Sequence, residues 1–137
     1  MEKIIALDYG AKRTGIAYAE FPLFIAHSLT TIRSNELLDY LRKITSESNV
    51  VKIVIGEPKS LDGSLTDVSL SVYKLKKTIN KILPDIEVVF YDERFTSKIA
   101  QQTMILGGMK KSKRRVKENV DKIAAVVILQ GYLLSNT

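Results

Sequence analysis

The chain has 137 residues, 45% of them apolar, with a formal charge of +6 and no cysteine. This length suits one domain spanning residues 1–137, and the apolar share excludes a disordered chain. The lack of cysteine excludes a disulfide scaffold and a thiolate zinc site. The positive excess favours a polyanionic partner, because neutralising phosphates releases condensed counterions. No apolar stretch approaches the roughly 20 residues a membrane helix needs. The apolar run at residues 4–7 is too short for a secretory signal and meets Asp8 at once. A cytoplasmic protein without a membrane partner is therefore expected.

Lys3–Tyr9 (KIIALDY) and residues 14–19 (TGIAYA) read as strands joined by the turn Gly10-Ala11-Lys12-Arg13. Residues 26–32 form a third, weighted by Thr30, Thr31 and Ile32. Leu37, Leu38, Leu41 and Ile44 then fall at helical spacing behind a Ser34-Asn35 cap. Residues 50–55 (VVKIVI) read as a strand covered on both faces. Val68, Val72, Leu75, Ile79 and Ile82 make a helical stripe ending before Pro84, and residues 86–91 (IEVVFY) another strand. Thr96 or Ser97 caps a helix to about Leu106, closed by Gly107-Gly108. The last helix is expected from about Asn119 to Leu134, with Val120, Ile123, Ala124, Val127, Ile128 and Leu134 on one side. The order β-β-β-α-β-α-β-α-α predicts a mixed α/β sheet covered by helices.

Functional groups of parallel sheets collect at the carboxyl ends of strands. Asp8 ends the first strand, and Asp92 and Glu93 follow the residue 86–91 strand. If those two strands are parallel and adjacent, their acids sit side by side. Asp121 begins the last helix, where the dipole favours an anion, and Ala124 and Ala125 let that helix lie close to the sheet. Three converging carboxylates need a cation, and oxygen ligands suit Mg2+ or Mn2+. Two such ions about 4 Å apart can activate water and stabilise a leaving oxygen. No catalytic histidine is required, so the only one, His27, is set aside. Plainer readings stay open. Asp8 can be a turn former, Glu93 can pair with Arg94 or cap a helix, and Asp121 can be an ordinary helix-start residue.

Three blocks carry a resemblance: Leu7-Asp8-Tyr9-Gly10-Ala11-Lys12-Arg13-Thr14-Gly15, Asp92-Glu93-Arg94-Phe95-Thr96-Ser97, and Asp121-Lys122-Ile123-Ala124-Ala125 running to Ile128-Leu129-Gln130. Gly56-Glu57-Pro58 with Gly63 looks like a Gly-x-Pro loop between them. In order and spacing the chain resembles, over essentially its full length, the YqgF family. That family is described as Holliday-junction resolvases and as nucleases maturing the small-subunit ribosomal RNA precursor. The resemblance implies a ribonuclease-H-like fold: a five-stranded mixed sheet, three antiparallel strands then two parallel, flanked by helices on both faces. It also implies that Asp8, Glu93 and Asp121 are the metal-binding catalytic acids. Glu57 departs from the family, where many relatives carry an apolar residue.

The segment Lys110-Lys111-Ser112-Lys113-Arg114-Arg115-Val116-Lys117 carries six positive charges and no negative one. A flexible basic arm beside the acids can hold phosphates without reading bases; alone, it also reads as a solvated charge run. Lys12 and Arg13 on the glycine turn, and Arg94 beside Glu93, are further candidates for phosphate contact. The turn also resembles the first phosphate loop of actin-like ATPases, but those need two lobes and this chain has length for one. The expected activity is metal-dependent cleavage of structured RNA or branched DNA. The alternative is a non-catalytic binding factor in ribosome assembly. Possible partners include ribosome-assembly intermediates and, for a junction resolvase, a second copy of the chain.

Overall fold

The structure, a computed structural model, describes residues 2–22, 25–57, 67–92 and 116–135, with side chains described except at 67–69, 116–122 and 135. The helix expected at 96–106, Pro58, Gly63, Glu93, Arg94, Lys110, Lys111, Lys113, Arg114 and Arg115 lie outside those residues. The strands are β1 (Lys3–Tyr9), β2 (Arg13–Glu20), β3 (His27–Arg33), β4 (Val50–Glu57) and β5 (Glu87–Asp92). The helices are α1 (Leu37–Glu47), α2 (Asp67–Ile82) and α3 (Val116–Ser135), and a 3-10 turn at Ser34–Glu36 leads into α1.

The five strands form one sheet in the order β3-β2-β1-β4-β5. β1 pairs antiparallel with β2, and β2 with β3; β1 and β4, and β4 and β5, pair parallel. Strands β1 and β5 are thus parallel, as expected, but not adjacent, because β4 lies between them. β1 can sit at the centre because its run is apolar on both faces. Ile5 and Leu7 join the core under α1 and α2, while Ile4 and Ala6 join the core under α3.

On the first face Leu37 and Leu41 of α1, and Val72, Leu75 and Ile79 of α2, pack on Ile5, Leu7, Ile16, Ile53, Ile55 and Val88. On the second, Ala125, Ile128, Leu129, Tyr132 and Leu133 of α3 pack on Ala6, Ala17, Ala19 and Val54. The spacing of those α3 residues is the three-and-four pattern of a helix with one buried stripe. Leu134, expected on that stripe, is 70% exposed because Tyr132 and Leu133 take the last buried positions.

Two boundaries differ from expectation for physical reasons. Ser34 does not cap α1: its hydroxyl donates to the Gly10 carbonyl at 2.5 Å and meets the Thr14 hydroxyl at 2.9 Å. Helix α3 begins at Val116, not Asn119, so Lys117 belongs to its first turn rather than to a loop. Asp121 is then in the second turn, beyond the reach of the strongest dipole effect. Among the described residues no helix is long and apolar enough to cross a membrane.

Candidate nucleic-acid interface

The carboxyl ends of β1, β4 and β5 form one rim of the sheet, where the start of β2 and the end of β3 also arrive. Register fixes what stands there. Asp8 is opposite Gly15, and Gly15 is opposite Thr31; Tyr9 faces Thr14, and Arg13 faces Arg33. Across the parallel half, Glu57 pairs with Asp92. Read from β3 to β5, the rim passes from arginines to carboxylates.

Side chains alternate between faces along a strand. Asp8 follows Ile4 and Ala6 onto the α3 face, and Arg13 follows Ala17 and Gly15 onto the same face. Arg33 opposite Arg13 shares it. Glu57 and Asp92 instead continue the α1/α2 face, after Ile55 and Phe90. Hence Asp8 and Asp92 are not side by side: β4 separates them and the pleat turns them to opposite faces.

Glu57 is held where it stands. The Tyr73 hydroxyl of α2 donates to its carboxylate at 2.5 Å. That hydrogen bond, with burial second, raises the Tyr73 phenol above its usual value near 10. The sequence marked Glu57 only as a departure; its partner is sixteen residues on, and only the β4–α2 crossover joins them.

Asp121 is carried by α3. Tyr132 near the end of that helix accepts a hydrogen bond from Lys52, in the first half of β4, at 2.6 Å. On that helix Asp121 lies four residues before the buried Ala125, which packs on the sheet face that carries Asp8. Gly131 permits this close docking: a Cβ there would lie 2.5 Å from the Tyr91 hydroxyl.

The glycine turn between β1 and β2 is built tightly. The Gly10 amide donates to the Arg13 carbonyl at 3.0 Å, and a Cβ on Gly10 would come within 2.7 Å of that oxygen. Lys12 and Arg13 border an open depression with Ala11, Arg33 and Asn35. Arg33 did not stand out in the sequence and is revealed by register, while Asn35, read there only as part of a helix cap, is revealed by the lining of this depression.

Any cation at the rim would meet oxygen donors. The chain has no cysteine, and the exposed His27 lies at the other end of the sheet against the Tyr18 ring. That donor set fits Mg2+ or Mn2+. Among the described side chains no three metal-ligating groups cluster. Glu93 and the side chain of Asp121 fall outside that description.

Comparison with known proteins now decides the family. The profile of the family described as "RuvX: Holliday junction resolvase" matches residues 2–135. The chain belongs to this family. Its RuvX-family relatives include a Bacteroides fragilis protein, 41% identical over 133 residues, covering 97% of this chain and 96% of the relative. Another, from Phocaeicola vulgatus, is 42% identical over 135 residues, covering 98% and 97%. Both carry the name "Putative pre-16S rRNA nuclease". Among solved structures, the fowlpox virus Holliday junction resolvase superposes with a TM-score of 0.60 at 12% identity, covering 98% of this chain and 99% of that one. A second structure of that resolvase, complexed with substrate Holliday junction DNA, gives 0.58 at 14% identity, covering 98% of each chain. This likeness shows the fold, which is ribonuclease-H-like, as the motif resemblance implied.

Proposed function

We propose that this RuvX-family chain is a nuclease hydrolysing phosphodiester bonds in structured nucleic acid, with Asp8, Glu93 and Asp121 holding Mg2+ or Mn2+. The substrate class is a four-way DNA junction or the precursor of small-subunit ribosomal RNA. The observation that carries the reading is the place of Asp8. It is the penultimate residue of the central strand, on the face that α3 covers, with Arg13 on the neighbouring β2 and Arg33 on β3 beyond it. Family membership and the names of the relatives support the same activity.

Bound at these acids, a pair of such ions supplies activation of the attacking water and charge stabilisation at the leaving oxygen. The chain's own part is placement. Asp8 offers its oxygens from a strand paired on both sides. Asp121 comes from a helix docked on the same face, and Glu93 follows directly on β5. Lys12, Arg13 and Arg94, with Lys110, Lys111, Lys113, Arg114, Arg115 and Lys117, hold backbone phosphates and fix the substrate's register without reading its bases. Residues 1–137 act as one domain in the cytoplasm, on branched DNA as a homodimer or on RNA within ribosome-assembly intermediates.

The test is cleavage of a four-way DNA junction and of a small-subunit ribosomal RNA precursor, side by side, with magnesium or manganese. Asp8→Asn removes cleavage of whichever substrate the wild type cuts, while its thermal melt stays unchanged. Undiminished turnover by Asp8→Asn rules the assignment out.

A further inference from the structure

Arg13 and Arg33 stand directly opposite each other on β2 and β3. Like charges in that relation are unfavourable in a sheet. Their strands are nevertheless locked together at this point. The Ser34 amide donates to the Lys12 carbonyl at 2.9 Å, the Ser34 hydroxyl holds Gly10 at 2.5 Å, and the fully buried Thr14 meets the same hydroxyl at 2.9 Å. The basic residues therefore sit on a fixed frame. They open into a depression of about 610 Å³ bordered by Ala11, Lys12, Arg13, Arg33 and Asn35. Arg33 itself is exposed, and no described carboxylate pairs with it.

The depression lies on the same rim of the sheet as Asp8. Two strand spacings, about 10 Å, and two residues of rise, about 7 Å, separate the backbone of Arg33 from that of Asp8. Between them the face carries Gly15, which is buried, and Thr31, whose hydroxyl is buried and without a hydrogen-bond partner among the described residues. A polyanionic strand with one phosphate at Asp8 therefore reaches the arginines along the rim, past the exposed Ala11 and Lys12, and not across the covered face.

We propose that Arg33, together with Arg13 and Lys12, forms a clamp for a backbone phosphate neighbouring the one that is cut. Asn35 adds a neutral donor at its border. The proposal rests on the nuclease reading for its meaning, but the clamp binds phosphodiester whether or not Asp8 supports cleavage. Two arginines present planar forks suited to phosphate oxygens, which a lysine reproduces only as a point charge.

The experiment measures binding by fluorescence anisotropy of a labelled four-way DNA junction and a labelled RNA hairpin, in KCl from about 50 to 200 mM. The parent is Asp8→Asn, which removes turnover. Adding Arg33→Ala weakens binding severalfold and lowers the slope of log affinity against log salt by about 0.9 on duplex arms, one phosphate contact. Arg33→Lys keeps the slope but binds less tightly. Lys81→Ala, on α2 at the far end of the sheet, removes the same charge and leaves the slope alone. A change with the junction only, or the hairpin only, supports the clamp and names the backbone it fits. An unchanged slope with Arg33→Ala on both probes, or an equal fall with Lys81→Ala, overturns it. Wild-type cleavage assayed in parallel separates the two ideas. Cleavage with an unchanged slope defeats the clamp alone, and a lowered slope without cleavage defeats the nuclease reading alone.

Discussion

The two faces of the sheet are packed from different materials. Under α1 and α2 the buried side chains are large: Ile5, Leu7, Ile16, Ile53, Ile55 and, from the helices, Leu37, Leu41 and Ile79. Under α3 the strands contribute mostly small residues, Ala6, Ala17 and Ala19 beside Ile4 and Val54, while the helix contributes Ile128, Leu129, Tyr132 and Leu133 with Ala125 and Gly131. Large aliphatics bury more apolar surface per residue and so carry more stability. Small residues bury less but let a single helix lie close to the strands. The rim groups Asp8, Arg13 and Arg33 all belong to the small-residue face. Both faces hold the fold, and the one under α3 also carries the proposed chemistry.

That division can be broken by substitution. The largest effect is the loss of cleavage with Asp8→Asn at unchanged stability, which would show the α3 face to be functional without being structurally critical there. Next comes Ile79→Ala on the opposite face. Ile79 is fully buried, so its truncation should lower unfolding free energy by about 2–5 kcal/mol in urea titration. Cleavage per folded molecule should stay at the wild-type level; a parallel loss of turnover would mean that the two faces are coupled.

Gly131→Ala is smaller and tests the close docking of α3. The added Cβ would meet the Tyr91 ring, 2.5 Å from its hydroxyl and 2.8 Å from the carbon bearing it. Overpacking of this kind costs about 1–3 kcal/mol, offset by about 1 kcal/mol of helix propensity. A net loss of about 1 kcal/mol is expected, accompanied by reduced cleavage because α3 carries Asp121. In a Tyr91→Ala background the same change should turn neutral or stabilising. If Gly131→Ala stabilises the wild type, the ring yields freely and the docking distance is not set there.

The strands were legible where short apolar runs ask for cover on both faces, at Lys3–Tyr9 and at residues 50–55, and both runs are strands. Asp8 was legible because a charge ends such a run abruptly. What stayed hidden is everything set by non-local pairing. The insertion of β4 between β1 and β5 is a property of the sheet, not of either strand's residues. Arg33, one residue past the strand expected at 26–32, carries no signal of its own, and only register places it opposite Arg13. Ser34 looked like a helix cap, and its hydroxyl is spent on Gly10 and Thr14 instead. The start of α3 was misjudged because Val116–Asn119 shows charge rather than apolar period, and helical period is what marks a start.

The finest comparison is between the two carboxylates of neighbouring parallel strands, Asp8 and Glu57, which the pleat sends to opposite faces. If the division of labour holds, Glu57 is a structural acid. Its hydrogen bond from Tyr73 raises the phenol's pKa, so the native state keeps that proton at pH values where the unfolded chain has begun to lose it. The bond's contribution is therefore complete below about pH 10 and fades as pH rises through the native value. With carbon-labelled tyrosine, NMR should find Tyr73 titrating above the usual range in the wild type and shifted down in Glu57→Gln. Denaturant curves of wild type and Tyr73→Phe should differ slightly at neutral pH and converge at strongly alkaline pH. Cleavage by Glu57→Gln should not fall. A drop as deep as that of Asp8→Asn would put Glu57 among the catalytic acids and undo the separation of the faces, whereas an unmoved Tyr73 titration would show that the hydrogen bond contributes nothing in solution.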